Sequence, residues 1–202
     1  MKVIGLLGGI ASGKSMVAEQ LAACGAKVLN ADEIAHQVLR RADVEAAARR
    51  RWGDAVFGPD GHIDRAALAR IVFAPPPEGP RHRAYLEQLT HAEIVRIIME
   101  ELAALAGSSV EAAVIDAALL VEVGLDKICD TLIFVEAPDA VRFERAAARG
   151  WRKEDFAARE DAQESLDSKR NRADLIIDNS GPPEQTQAQV RRLWPALIRR
   201  SP

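Results

Sequence analysis

The stretch Lys2-Val3-Ile4-Gly5-Leu6-Leu7-Gly8-Gly9-Ile10-Ala11-Ser12-Gly13-Lys14-Ser15 decides how the chain is read. A short aliphatic run, a glycine-bounded GxxxxGKS segment and a helical apolar period follow one another. That order predicts a strand, a tight loop and a helix. Glycines at both ends let the backbone wrap so that successive amide groups converge, and the positive end of the following helix points to the same place. The combination is a cradle for phosphate oxygens, with Gly9, Ile10, Ala11, Ser12, Gly13, Lys14, Ser15 and Met16 around it. Lys14 can reach the outer phosphates, and the Ser15 hydroxyl can ligate Mg²⁺.

The remainder of the chain fits that opening. The 202 residues are 48% hydrophobic, enough for a core in one compact domain, and the net charge of −3 argues against non-specific nucleic-acid binding. The run Val3 to Leu7 breaks at Gly8-Gly9, well short of the ~20 residues of a membrane span, so neither a membrane segment nor a signal peptide is expected. Cys24 and Cys129 lie far apart and form no CxxC, which points to the cytoplasm and away from a disulfide or zinc scaffold.

Strands are predicted at Lys2–Leu7, Ala26–Leu29, Ala112–Asp116, Thr131–Glu136 and Asp174–Asp178. Helices are predicted at Lys14–Cys24, Ala31–Arg41, Val44–Trp52, Arg65–Phe73, Arg83–Ala106, Asp139–Arg149, Lys153–Asp167 and Pro183–Arg199. The alternation implies an α/β fold with a parallel sheet. About eighty residues separate the second strand from the third, where a crossover needs only about a dozen. A helical insertion bent at Pro75-Pro76-Pro77 therefore stands there, either shaping a substrate pocket or adding a helical layer. The mixed charges from Arg142 to Arg172 read mainly as solvated helix surface, with a few arginines able to face an anion. Arg199 to Pro202 reads as a frayed end.

Two acids stand at strand ends. Asp32 follows the second strand and could accept a proton from a substrate hydroxyl; it could equally cap the next helix. Asp116 ends the third strand and could support Mg²⁺, or be a solvated carboxylate. His91 has no second histidine or cysteine at ligand spacing, which argues against a metal there.

Along nearly its whole length the sequence resembles the dephospho-coenzyme A kinase family. The resemblance rests on Gly8 to Ser15, on Asn30-Ala31-Asp32 (the family's DAD), and on Asp64 to Leu68 with Ile71-Val72-Phe73. Leu89-Thr90-His91 and Asp116 with Leu119 to Glu122 continue it, as do Arg145, Arg149, Arg159, Gln163 and Lys169. Ala173-Asp174 with Ile177-Asp178-Asn179 close it.

The resemblance implies a P-loop kinase-like five-stranded parallel sheet in the order 2-3-1-4-5. A core of about 1–42, 110–148 and 173–202 would carry a helical acceptor-binding insertion at 43–109 and a lid at 149–172. ATP and Mg²⁺ would act on dephospho-CoA, transferring the γ-phosphoryl group to its ribose 3′-hydroxyl. Asp32, Lys14 and Arg149 would be catalytic, Arg145 and Asn179 would join the phosphate loop at the nucleotide, and Asp32, His91, Leu119, Glu122 and Arg159 would meet the acceptor. Ser15 and Asp116 would hold the metal. The implied molecule is a cytoplasmic monomer or weak homo-oligomer without nucleic-acid or membrane partners.

Leu7, Ala11, Asn30, Ala92 and Ala118 depart from the family pattern. Ala11 replaces a glycine, so a positive φ there would strain the loop. Two other readings compete: a P-loop kinase for another small metabolite, such as a nucleoside, and a nucleotide-dependent switch. The DAD-like site and the lid motif disfavour the former. No water-positioning residue or switch loop supports the latter.

Overall fold

A computed structural model describes residues 1–199. The expected frayed end falls, from residue 200 on, outside the described residues. The elements in chain order are β1 (Lys2–Leu7), α1 (Lys14–Ala23), β2 (Lys27–Asn30), α2 (Ala31–Leu39), α3 (Ala42–Trp52), α4 (Arg65–Val72) and α5 (Glu78–Ala106). They continue with β3 (Ala112–Asp116), β4 (Thr131–Glu136), α6 (Asp139–Ala148), α7 (Lys153–Glu160), α8 (Leu166–Arg172), β5 (Leu175–Asp178) and α9 (Pro183–Leu197).

Among the described residues the strands form one parallel five-stranded sheet in the order β2-β3-β1-β4-β5, as the resemblance implied. β1 and β3 are central and nearly continuous in apolar residues, as strands covered on both faces require. Ile4, Leu6, Val114, Ile133, Val135 and Ile177 bury one face against Val17, Ala18 and Leu21 of α1 and Val190 and Leu197 of α9. The alternate residues Leu7, Ile115 and Phe134 are also buried, on the opposite face. Chain order reverses around β1, so the loop that follows β1 leaves the sheet at the carboxyl rim, where open α/β sheets bind ligands.

The described residues divide into two compact units, residues 1–31 with 98–199, and residues 32–97. The second is built on Val56, Leu68 and Val72, with Leu39, Trp52, Phe57, Ile63 and Leu86 packed around them. Asp64 caps α4 by accepting from the amides of Ala66 at 2.8 Å and Ala67 at 3.2 Å. Trp52 donates its indole N–H to His82 Nδ1 at 2.9 Å.

Two helix expectations change. α5 starts at Glu78 instead of Arg83, because Pro80 falls in the first turn, where its missing N–H has no intrahelical acceptor to lose. The single helix expected over Lys153–Asp167 is two, α7 and α8. Ser165 restarts the helix by accepting from the Ser168 amide at 3.3 Å, and the preceding Glu164 amide donates to Glu122 at 2.9 Å instead of continuing the ladder.

Candidate functional site

The loop between β1 and α1 is held from behind by its carbonyl groups. Arg142 Nη1 donates to the Ile10 carbonyl at 3.3 Å. Arg145 Nη1 donates to the Ser12 carbonyl at 3.2 Å, and Asn179 Nδ2 donates to the same oxygen at 2.6 Å. A peptide plane carries its N–H opposite its C=O, so holding the Ile10 and Ser12 carbonyls also fixes the amides of Ala11 and Gly13 that share their planes. Lys14, the first residue of α1, folds its ammonium back onto the Gly8 and Gly9 carbonyls at 3.1 and 2.9 Å. Ser15 and Met16 lie in the first turn, whose amides have no intrahelical acceptor.

Gly13 has φ +97°, and a Cβ there would run into the Asn179 amide, so the loop needs glycine at that point. Ala11 has φ +56°. The condition for strain set by the sequence is therefore met: an alanine occupies the left-handed region at a cost of about 1–2 kcal/mol.

Asn179 is buried and fully engaged. Its backbone N–H donates to the Glu136 carbonyl at 2.7 Å, and its side-chain Oδ1 accepts from Thr186 Oγ at 2.9 Å. Asp116, also buried, ends β3 in register with Leu6 of β1 and Asn30 of β2, on the same rim as the phosphate loop. Ser15 and Asp116 are oxygen donors on that rim. Such a pair suits Mg²⁺, which takes one or two protein oxygens and completes its shell with phosphates and water.

The segment beyond α6 is tied down at its far end. Lys169, buried on α8, pairs with Glu122 at 3.2 Å and donates to Gln163 Oε1 at 3.0 Å. Glu122 thus has partners inside the protein, on the loop after β3 that also carries the partly buried Leu119. Arg159 stacks over the Trp151 ring, 4.3 Å from its centroid. Arg149 caps the C-terminus of α6 and is exposed. Asp32 lies in the first turn of α2, which starts where β2 ends, and His91 lies on α5; both belong to the second unit.

The sequence reads the Arg142 to Arg172 stretch mainly as solvated helix surface with a few arginines able to face an anion; Arg142 is only 1% exposed, and the buried Thr186 is not among the residues the sequence singles out. Arg142 does share a helix face with Arg145 at i,i+3, a signal that was available. Nothing in the sequence marks Thr186.

A parallel sheet of this order, with a GxxxxGKS loop between β1 and α1, defines a P-loop kinase fold. Residues 2–185 match the family model of CoaE, dephospho-CoA kinase. A curated dephospho-CoA kinase of Syntrophotalea carbinolica is 39% identical over 200 residues, 98% of this chain and 93% of that protein. One of Anaeromyxobacter dehalogenans is 42% identical over 200 residues, 96% of this chain and 90% of that protein. The solved dephospho-CoA kinase of Campylobacter jejuni superposes with a TM-score of 0.68 at 26% identity, covering 96% of this chain and 97% of that one. The chain belongs to the dephospho-CoA kinase family. Among the described residues no helix is long and apolar enough to cross a membrane.

Proposed function

We propose that this protein transfers the γ-phosphoryl group of ATP, with Mg²⁺, to the ribose 3′-hydroxyl of dephospho-CoA, giving coenzyme A and ADP. The observation that carries the reading is the braced phosphate loop, whose Ile10 and Ser12 carbonyls accept hydrogen bonds from Arg142, Arg145 and Asn179. Amides fixed in advance stabilise phosphate charge without reorganising during the reaction. On this reading Lys14 leaves the Gly8 and Gly9 carbonyls for the β- and γ-phosphates, and the loop residues 9–16 wrap the nucleotide. Ser15 and Asp116 hold Mg²⁺, which neutralises charge on the phosphates.

Asp32 orients the acceptor hydroxyl and takes its proton, consistent with its position just past the rim-facing end of β2. Arg149 and Arg159 supply positive charge from the lid, residues 149–172. Closure of the lid keeps water, the competing acceptor, away from the γ-phosphate. His91, Leu119 and Glu122 belong to the acceptor side, with Glu122 acting through the Lys169 pair that fixes the lid's end. Arg145 and Asn179 set the nucleotide end of the loop. The reading includes a cytoplasmic monomer or weak homo-oligomer with no nucleic-acid partner, in line with a net charge of −3.

A coupled assay tests it. ADP release that requires dephospho-CoA, with little turnover on ATP alone or with AMP or uridine, is the expected result. Equal turnover without dephospho-CoA would overturn it.

A further inference from the structure

Arg142 is an unusual residue to bury. It projects from α6 behind the phosphate loop, and a Cβ on Gly9 would run into its guanidinium. Its Nη2 donates to Asp139 at 2.7 Å, and its Nη1 is shared between the Ile10 carbonyl and Glu160, the last residue of α7. The Phe156 ring of α7 lies 5.5 Å from the guanidinium carbon. Its Nε is buried without a hydrogen-bond partner among the described residues. For stability alone an apolar side chain of similar volume serves as well as a buried ion pair, so the placement calls for another account. The planar fork of arginine supplies one: it fixes direction as well as charge.

We infer that Arg142 is a positioning residue that couples the lid to the phosphate loop, holding α7 through Glu160 and the loop through the Ile10 carbonyl. The inference rests on the function proposed above. Glu160 directly follows Arg159, so anchoring its carboxylate fixes where the Arg159 backbone stands. Arg142 also sits seven residues, about two helical turns, before Arg149, the first residue of the lid. One guanidinium thereby sets the loop that grips the nucleotide and the helix that covers it. Burial works against the cation, but the hydrogen bonds to Glu160 and Asp139 outweigh it and raise its pKa. The guanidinium is therefore charged at every pH at which the enzyme would be assayed.

The test compares Arg142→Gln, Glu160→Gln and the double variant. The readouts are the dissociation rate of a fluorescent ADP analogue, kcat and KM for ATP with dephospho-CoA, and ATP hydrolysis without acceptor. Arg142→Gln is expected to speed ADP dissociation by about tenfold, with KM for ATP rising in step. Hydrolysis without acceptor gains relative to transfer, a shift that a purely structural loss would not produce. Glu160→Gln should give a smaller change in the same direction. The double variant should match Arg142→Gln, because both substitutions break one linkage. Additive effects of the two substitutions, or unchanged ADP dissociation in folded variants, would overturn the inference. If Arg142→Gln does not fold, Glu160→Gln decides alone: an unchanged dissociation rate with an unchanged ratio of hydrolysis to transfer sinks the idea. Failure of the functional reading shows separately, as wild-type protein that releases ADP analogue normally but does not respond to dephospho-CoA.

Discussion

Asn179 donates its side-chain amide to the Ser12 carbonyl at 2.6 Å, across 167 positions of sequence. Arg145 closes a triangle with the same two residues, donating to the Ser12 carbonyl at 3.2 Å and to the Asn179 carbonyl at 2.9 Å. The segment after β5 and the helix after β4 thus meet on one carbonyl of the phosphate loop. Thr186 of α9 completes the arrangement by donating to Asn179 Oδ1, which leaves the amide nitrogen as the group that faces Ser12. A loop shaped this way before ligand arrives has less conformational freedom to lose on binding.

Asn179→Ala is therefore expected to raise the KM for ATP by about tenfold and lower the thermal midpoint, since it strips a buried hydrogen bond worth roughly 1–3 kcal/mol. Thr186→Val should act in the same direction and more weakly, by freeing the amide to rotate. Steady-state kinetics and a thermal scan measure both. An unchanged KM in the Asn179 variant would show that the loop holds its shape without this clamp.

Ala11→Gly should stabilise the protein slightly. Relief of left-handed strain gives about 1–2 kcal/mol, and the greater freedom of glycine in the unfolded chain takes back about 0.4–1 kcal/mol. For a chain of this size the difference is a rise of about 1–3 °C in Tm. Ala11→Val should fall below wild type, because a β-branched side chain fits φ +56° worse than alanine does. A glycine variant that melts below wild type would contradict the strain.

The strand-loop-helix beginning was legible because one continuous stretch carries it, and β1, β3 and β4 were found at their observed bounds because apolar runs mark them directly. The break between α7 and α8 was not legible. Lys153 to Asp167 has no glycine or proline to signal it, and the partner that holds the break open, Glu122, is some forty positions away. Arg142 was misjudged for a related reason: an arginine among charged neighbours reads as surface until the fold brings Ile10 and Glu160 to it. Motifs showed which residues carry chemistry. Which of them brace others depended on contacts between distant segments.

Asp32→Asn should lower kcat by about 10²-fold or more while leaving ATP affinity largely intact, as loss of a general base typically does. Titration with an ATP analogue and initial rates at saturating dephospho-CoA separate the two quantities. A kcat equal to wild type would remove Asp32 from the proton-accepting role and leave it as a helix-start residue.

Cys129 should be chemically inert in the folded protein. Burial, followed by the nearby carboxylates of Asp126 and Asp130, pushes its thiol up to about 12, and its Sγ–H donates to the Leu125 carbonyl at 3.2 Å. At pH 8 only about one molecule in ten thousand would carry the thiolate that attacks a disulfide reagent. With Cys24 replaced by serine, the native protein should give no rapid colour with dithionitrobenzoate, and one thiol should react after unfolding in urea. Prompt reaction of the folded variant would mean that this part of the molecule opens readily.

The pair between Lys169 and Glu122 makes an asymmetric prediction. The Lys169 side chain is 2% exposed and that of Glu122 is 23%, so the two charges do not lose the same hydration on folding. Glu122→Gln leaves an ammonium buried without its counter-ion, the situation that typically costs about 3–5 kcal/mol. Lys169→Met leaves a carboxylate that water can reach and that still accepts from the Glu164 amide at 2.9 Å, while the methionine fills the buried stem. Glu122→Gln should therefore lower the thermal midpoint more than Lys169→Met does, although it is the smaller change in shape. The double variant should recover part of the loss, because removing both charges leaves neither of them stranded. Equal destabilisation by the two single variants, or a double variant that loses their sum, would show that the pair does not govern the docking of α8.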